Sequence, residues 1–121
     1  MNQNITHISQ SADLRDLRDG GVMPTASDGT APRSSARSLA VPGIQGATAG
    51  VWECTPGRWR RASAGAEVMH FLAGECIFTP DGGAPMHIRA GDTVVFPTHT
   101  NGVWEATSTI RKVFVSLNAP A

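Results

Sequence analysis

Eight short segments of β-forming residues, separated by glycine, proline and aspartate, constrain the fold of this chain more than any other feature. Strands of this length, repeated about every ten residues, are typical of a β-sandwich or a closed barrel. No stretch between them shows the period of about 3.6 residues that a helix requires. The sequence therefore predicts an all-β fold built from the segments VWECT (51–55), RWRRA (58–62), EVMHFL (67–72), ECIFT (75–79), PMHIR (85–89), DTVVFP (92–97), GVWEAT (102–107) and IRKVFVSL (110–117).

The chain before these segments has a different character. It is rich in Ser, Asp, Arg, Thr, Gly and Pro and has few large apolar residues. Ser11 is a candidate cap of a short helix that carries two leucines and stops at Gly20-Gly21. From Met23 to Ser38 we expect irregular or mobile chain, because little apolar surface is available to bury. We therefore predict an N-terminal extension (1–40), largely irregular and poorly structured, followed by a barrel domain (41–121).

Charge and composition narrow the classes of partner. Ten basic residues balance ten acidic ones, whereas nucleic acids and anionic membranes select proteins with a basic excess. We expect neither as a partner. The N-terminus shows no apolar stretch of the kind found in signal peptides, and the two cysteines, Cys54 and Cys76, do not form a CxxC pair. Two buried, reduced thiols and a cytoplasmic location are expected.

One short motif occurs twice. Gly-Val-Trp-Glu-x-Thr spans residues 50–55 and again residues 102–107. The repeat predicts two similar strands in related halves of a double Greek-key roll, although chance among strand-forming residues would also produce it. Its tryptophans either pack the core or line a pocket.

Two further patterns resemble the conserved motifs of the cupins. Glu67 and Gly74 have the Glu-x6-Gly spacing of the first motif, and Gly91 and Pro97 have the Gly-x5-Pro spacing of the second. More narrowly, GVWE-x-TPG (50–57) and RKVFV (111–115) resemble the short cupins related to the ureidoglycine aminohydrolase cupin domain. The resemblance covers residues 41–117 and implies a cupin-type jelly roll, or double-stranded β-helix, that often forms homodimers.

The resemblance also implies a metal site that this chain does not retain. The metal sites of cupins typically use three His and one Glu as ligands. By this resemblance, the corresponding positions here are Arg61, Ser63, Glu67 and Gly102. Of these four side chains, only the Glu67 carboxylate is a good metal ligand. We therefore expect no tightly held metal; a divalent transition metal such as manganese is the weaker alternative.

None of the four histidines replaces the missing ligands. His7 lies in the N-terminal extension. His70 is three residues from Glu67 and so points to the opposite face of its strand, and the alternation in PMHIR turns His87 away from the core. His99 follows Pro97 near the predicted barrel mouth, where both a loop role and a pocket role remain open.

The alternation of side chains along the strands predicts an interior. If Glu67 faces inward, Met69 and Phe71 share its side. On the preceding strand, Trp59 and Arg61 have matching parity if the turn at Gly65 does not shift the register.

A carboxylate inside an apolar barrel must be paired, hydrogen-bonded or protonated. We therefore predict that the Arg61 guanidinium pairs with Glu67 in place of a metal ion. The alternative is that Arg61 lies on the outer face and Glu67 meets backbone donors.

Three functions are compatible with these patterns. The first is a metal-free cupin that binds a small polar or carboxylated molecule in its barrel. The second is a manganese-dependent enzyme of the ureidoglycine aminohydrolase type, and the third is a dimeric interaction protein that pairs through an edge strand or through the segment around Ile5 and Ile8. For the first, the predicted ligand-binding residues are Arg61, Ser63, Glu67, Met69, His99 and Trp104.

Overall fold

The structure is a computed structural model that describes residues 5–23 and 31–117. These residues form one 3-10 turn, Ser11–Asp13, and ten strands. The strands are β1 (Arg18–Val22), β2 (Arg33–Ala40), β3 (Thr48–Cys54), β4 (Gly57–Ala62), β5 (Ala66–Ala73), β6 (Glu75–Pro80), β7 (Met86–Arg89), β8 (Thr93–Phe96), β9 (Asn101–Ala106) and β10 (Ile110–Leu117). The described ranges contain no α-helix. The predicted all-β fold is confirmed, and each of the eight segments named from the sequence forms a strand.

The strands form two antiparallel sheets that face each other. The larger sheet has the order β1-β2-β3-β10-β5-β8, and the smaller has the order β4-β9-β6-β7. Strand β10 therefore lies between β3 and β5, although it is the last of the ten along the chain. This jelly-roll arrangement leaves a single apolar interior between the sheets.

Local sequence explains why the strands end where they do. Gly74 links β5 to β6 with φ 83°, a left-handed conformation that glycine adopts without strain. A Cβ at this position would also overlap the carbonyl oxygen of Thr109. Asp81-Gly82 turns β6 into β7, and Gly82 has φ 75°.

Aromatic side chains from both sheets fill the interior. Trp104 of β9 stacks on Trp59 of β4, with ring centroids 5.9 Å apart, and touches Phe78 of β6 at 4.8 Å. From the opposite sheet, Phe96 and Phe71 approach the same indole at 5.6 and 6.2 Å. This aromatic cluster (Trp59, Phe71, Phe78, Phe96, Trp104) forms the centre of the core.

The N-terminal extension is more ordered than its composition predicts. Residues 18–22 and 33–40 form β1 and β2, and β2 pairs with β3 from Ser34 to Ala40. The structure therefore differs from the expectation of irregular chain over these two ranges, and residues 24–30 lie outside the described residues. The expected helix is a 3-10 turn at Ser11–Asp13, and Gly20-Gly21 lies inside β1.

Backbone hydrogen bonds explain why β1 and β2 are ordered. Strands β1 and β2 lie at the border of the larger sheet, where ladder hydrogen bonds hold them and Arg33, Arg37 and Ser38 are exposed to water. Gly50 of β3 allows the close approach, because a Cβ there would overlap the carbonyl oxygen of Arg37.

Candidate functional site

A cavity of about 310 Å³ lies between the two sheets, at the side where β4, β5 and β10 come together. Its walls combine aromatic rings with four charged side chains, a composition typical of small-molecule sites. We call it the cup. It is lined by Met23, Trp52, Trp59, Arg60, Arg61, Glu67, Trp104, Lys112, Phe114 and Ser116.

An ion pair crosses the cup from one sheet to the other. Arg61 on β4 donates from Nη1 to Glu67 Oε1 on β5 over 2.6 Å. Both side chains are almost buried, with 12% and 11% of their surface exposed. The guanidinium also lies over the Phe96 ring, 4.7 Å from its centroid. The predicted Arg61–Glu67 pair is therefore present, and Arg61 faces inward.

Backbone carbonyls fix the orientation of Arg61. Its Nε donates to the carbonyl oxygen of Thr100 at 3.2 Å, and its Nη2 donates to that of Gly65 at 3.4 Å. A guanidinium has five N–H groups, and these three bonds use three of them. One N–H on each terminal nitrogen takes no part in these three bonds.

A second cation lies on the other side of Glu67. Lys112, on β10, is only 8% exposed. Its Nζ is 3.5 Å from Glu67 Oε2 and 3.1 Å from the Met69 sulfur. Aromatic rings surround the ammonium: the centroids of Trp52, Trp104 and Phe71 are 4.8, 5.3 and 5.9 Å away. Glu67 thus lies between two cations.

Sequence reasoning did not select Lys112, although a signal was present. Lys112 is the only lysine among the 121 residues, and it lies in the apolar segment IRKVFVSL. Lysine is almost never buried unless it is paired or functional. A solitary lysine at that position was therefore a candidate for the site.

Burial changes the acid–base chemistry of Lys112. Removal from water lowers its pKa below 10.5, and the neighbouring Glu67 only partly opposes this shift. Between the lowered pKa and 10.5, the unfolded chain holds more protons at this lysine than the folded protein does. The free energy of unfolding must therefore rise with pH across that window.

The variant Lys112→Met tests this linkage. Below the lowered pKa the wild type has a buried ammonium that methionine lacks, so we expect the variant to be more stable, by about 1–4 kcal/mol. The difference should shrink as pH rises through the lowered pKa, and urea unfolding at several pH values between about 6 and 10.5 measures it. Identical pH profiles for the two proteins would mean that Lys112 keeps its ordinary pKa.

The two cysteines lie in the same interior. Cys54 and Cys76 are free and buried, as predicted. Burial raises the pKa of the Cys54 thiol to about 12 and that of Cys76 to about 11. Both are therefore protonated near neutral pH and are weak nucleophiles there.

The structure brings together four of the six predicted ligand-binding residues. Arg61, Glu67 and Trp104 line the cup, and the fully buried Met69 lies behind Lys112. Ser63 and His99 do not line it. The Ser63 amide donates to Asn101 Oδ1, and the exposed His99 has φ 62° and donates its amide to Ala64.

The remaining histidines lie on the outside, as the alternation predicted for two of them. His70 is exposed, and its ring nitrogen is 2.8 Å from the Thr93 hydroxyl oxygen on the outer face. His87 on β7 and His7 near the N-terminus are also exposed.

The donor set of the cup does not fit a metal ion. Both Glu67 oxygens already face cations, at 2.6 and 3.5 Å. Within residues 5–23 and 31–117, no group of three His, Cys, Asp or Glu side chains lies close enough together to hold an ion. At Gly102, the position of an expected histidine, a Cβ would overlap the Thr79 carbonyl oxygen and crowd the Phe78 ring.

Two wider grooves lie outside the barrel, beside the N-terminal extension. One of about 610 Å³ runs between residues 13–17 and the Glu53–Arg111 ion pair, and another of about 700 Å³ borders Asp16 and Arg37. Neither groove has an aromatic lining. The described part of the chain also contains no helix of the length and hydropathy needed to cross a membrane.

Comparison with known proteins identifies the fold. Residues 44–114, more than half of the chain, match the family model described as the EutQ-like cupin domain. No curated protein matches the chain.

Solved structures show the same architecture at low sequence identity. A protein with unknown function from Pseudomonas syringae pv. tomato has a TM-score of 0.74 at 23% identity, over 85% of this chain and 45% of that one. The chain therefore spans less than half the length of that protein. The EutQ protein of Clostridium difficile has a TM-score of 0.62 at 13% identity, over 74% of this chain and 71% of that one. Ectoine synthase from P. lautus has a TM-score of 0.68 at 18% identity, over 98% of this chain and 80% of that one.

Proposed function

Because the chain belongs to the EutQ-like cupin domain family, whose barrel it shares, we propose that it binds a small carboxylated molecule inside its cup, without a tightly held metal ion. The family supplies the barrel, but the barrel alone does not specify a ligand. The support for the ligand class comes from the charges and rings of the cup.

The observation that carries the proposal is the charge balance around Glu67. Arg61 neutralises this carboxylate and Asp81 pairs with Arg60, so a protonated Lys112 leaves the cup with one uncompensated positive charge. An uncompensated buried charge costs several kcal/mol. A carboxylate from a ligand would balance it and would be attracted into the cup.

The unused donors of Arg61 provide the recognition geometry. One N–H on each terminal nitrogen is not bonded to Glu67, Thr100 or Gly65. A planar fork with two free N–H groups suits a carboxylate better than a point charge does.

The rest of the ligand would meet aromatic surface. Trp59 and Trp104 are nearly parallel, with 16° between their planes, and Trp52 closes the wall beside them. A cavity of about 310 Å³ is at the small end of the range for ligand pockets, about 300–1,000 Å³. We therefore propose a ligand with one carboxylate and a short polar or apolar remainder.

A thermal-shift screen tests this proposal. We expect lactate or a ureido acid to raise the melting temperature and a small amine to leave it unchanged. A ligand at a hundred times its Kd stabilises the folded state by about 2.7 kcal/mol. In Arg61→Lys, the ligand concentration that gives a half-maximal shift in melting temperature should rise at least about tenfold, because the planar guanidinium fork is lost.

Arg89→Lys provides the matched control, since Arg89 is exposed on β7 and lies outside the cup. It should respond like the wild type. An equal response in Arg61→Lys would place binding elsewhere, and near-stoichiometric manganese in protein purified without chelator would favour the metal-dependent alternative.

Absence of any shift across the screen would favour the interaction role. A specific feature supports that alternative: Val95, Val68 and Val115 lie side by side across β8, β5 and β10 and are all exposed. Exposed apolar rows of this kind occur where sheets pair with a second copy.

A further inference from the structure

The one primary amine supplied by a side chain of this protein lies inside the cup. Lys112 is the only lysine of the chain, and it lines the cavity beside the Arg61–Glu67 pair and the tryptophan rings. A solvated surface would accommodate a lysine at no cost. Its placement among Trp52, Trp104 and Phe71 therefore calls for a chemical reason.

Neutralisation of Glu67 does not provide that reason. Arg61 already holds Glu67 Oε1 at 2.6 Å with a nearly buried fork. A protonated Lys112 therefore adds one positive charge more than Glu67 can balance. The excess is removed either when an anion enters or when the ammonium loses its proton.

Removal from water and the neighbouring Arg61 favour loss of that proton, whereas Glu67 and Cys76 oppose it. The titratable groups that face it are Glu67 on β5, Arg61 on β4, Cys76 on β6 and Cys54 on β3. The thiols are protonated near neutral pH, and Arg61 repels a second cation. The enclosing rings keep water away, so a fraction of the lysine is the free amine, which is the nucleophilic form.

We propose that Lys112 forms an imine with the carbonyl carbon of a small 2-oxo acid whose carboxylate is held by Arg61. This inference rests on the proposed function, since it takes the same cup and the same carboxylate contact. It adds a carbonyl group to the ligand and a covalent step to binding.

The step balances without any further reagent. The amine lone pair attacks the carbonyl carbon and forms the C–N bond, and the carbonyl oxygen takes up the proton that the ammonium released. The nitrogen then loses a proton to Glu67 Oε2, 3.5 Å away. Glu67 passes this proton to the hydroxyl, which leaves as water while the nitrogen lone pair forms the C=N bond. The protonated imine keeps a positive charge, which the ligand carboxylate balances.

Reductive trapping tests the proposal on the intact protein. The wild type is incubated with pyruvate and sodium cyanoborohydride, and peptide mass spectrometry locates the reduced adduct. We expect it on the peptide that contains Lys112, at a several-fold higher yield in the folded protein than in the urea-unfolded chain, because the lowered pKa raises the free-amine fraction and Arg61 holds the ligand carboxylate beside the amine. Lactate, which has the carboxylate but no carbonyl, should form no adduct and should compete with pyruvate.

Two variants separate chemistry from folding. Lys112→Arg keeps the positive charge but cannot be trapped, and Lys112→Met removes the charge as well; both should lose the adduct at this position. Arg61→Lys should reduce the trapping yield, and the exposed Arg89→Lys should not.

The outcomes distinguish the two proposals. If lactate and pyruvate raise the melting temperature but no adduct forms at Lys112, the imine is excluded while carboxylate binding stands. If neither ligand shifts the melting temperature and no adduct forms, both fail. An adduct formed equally in the unfolded chain overturns the imine proposal, because the lysine then has no special reactivity.

Discussion

Replacing Glu67 with glutamine is expected to lower the free energy of unfolding by about 3–5 kcal/mol, the cost of leaving a buried charge without its partner. Glu67 is 8% exposed and faces Arg61 and Lys112 at once. Glutamine has nearly the same shape but no charge, so the two cations would remain in the apolar interior and repel each other. Urea unfolding, followed by tryptophan fluorescence, measures the loss.

Two comparisons make this measurement specific. Glu75→Gln replaces an exposed glutamate on β6 and should change stability by less than about 0.5 kcal/mol. Adding Lys112→Met to Glu67→Gln should recover part of the loss, because the second cation is then gone. A loss below about 1 kcal/mol for Glu67→Gln would contradict the idea that this carboxylate joins the two sheets.

Replacing Trp104 with alanine is the second large effect that we expect, again about 3–5 kcal/mol. The indole is 3% exposed and contacts four other rings, from both sheets. Its removal leaves a cavity that the rigid strands on either side cannot close. Ligand-induced shifts in melting temperature should be lost as well, since the same ring lines the cup.

The repeated motif supplies the control for this experiment. Trp52 occupies the equivalent place in the first Gly-Val-Trp-Glu copy, but it is only half-buried at the edge of the cup. The free energy of unfolding should therefore fall less in Trp52→Ala than in Trp104→Ala. Trp52 buries less apolar surface, and each Å² of buried apolar surface contributes about 25 cal/mol. Equal losses would show that the two tryptophans are packed equally well.

Much of the fold could be read from the sequence because its signals are local. A strand such as β5 shows its inward face directly, since Glu67, Met69 and Phe71 alternate with exposed residues. Glycines at turns mark where strands end. The same parity argument, extended across the turn at Gly65, correctly brought Arg61 to Glu67.

The segments that sequence reasoning missed are those whose signal is not in the side chains. Strand β2 is held by its backbone ladder with β3, and its serines and arginines resemble a loop in composition. In β10 both faces carry apolar residues: Ile110 and Phe114 on one side, Val113 and Val115 on the other. Alternation alone therefore could not decide that Lys112 faces inward.

The central position of β10 has a consequence for how the protein is made. This strand enters the larger sheet between β3 and β5, so β1-β2-β3 and β5-β8 stay separate until residues 110–117 have left the ribosome. Contacts of such long sequence separation form slowly, and unpaired strands in the incomplete chain are prone to aggregation. Glu67 and Arg61 can meet earlier, and the lysine that completes the cup arrives with the strand that joins the sheet.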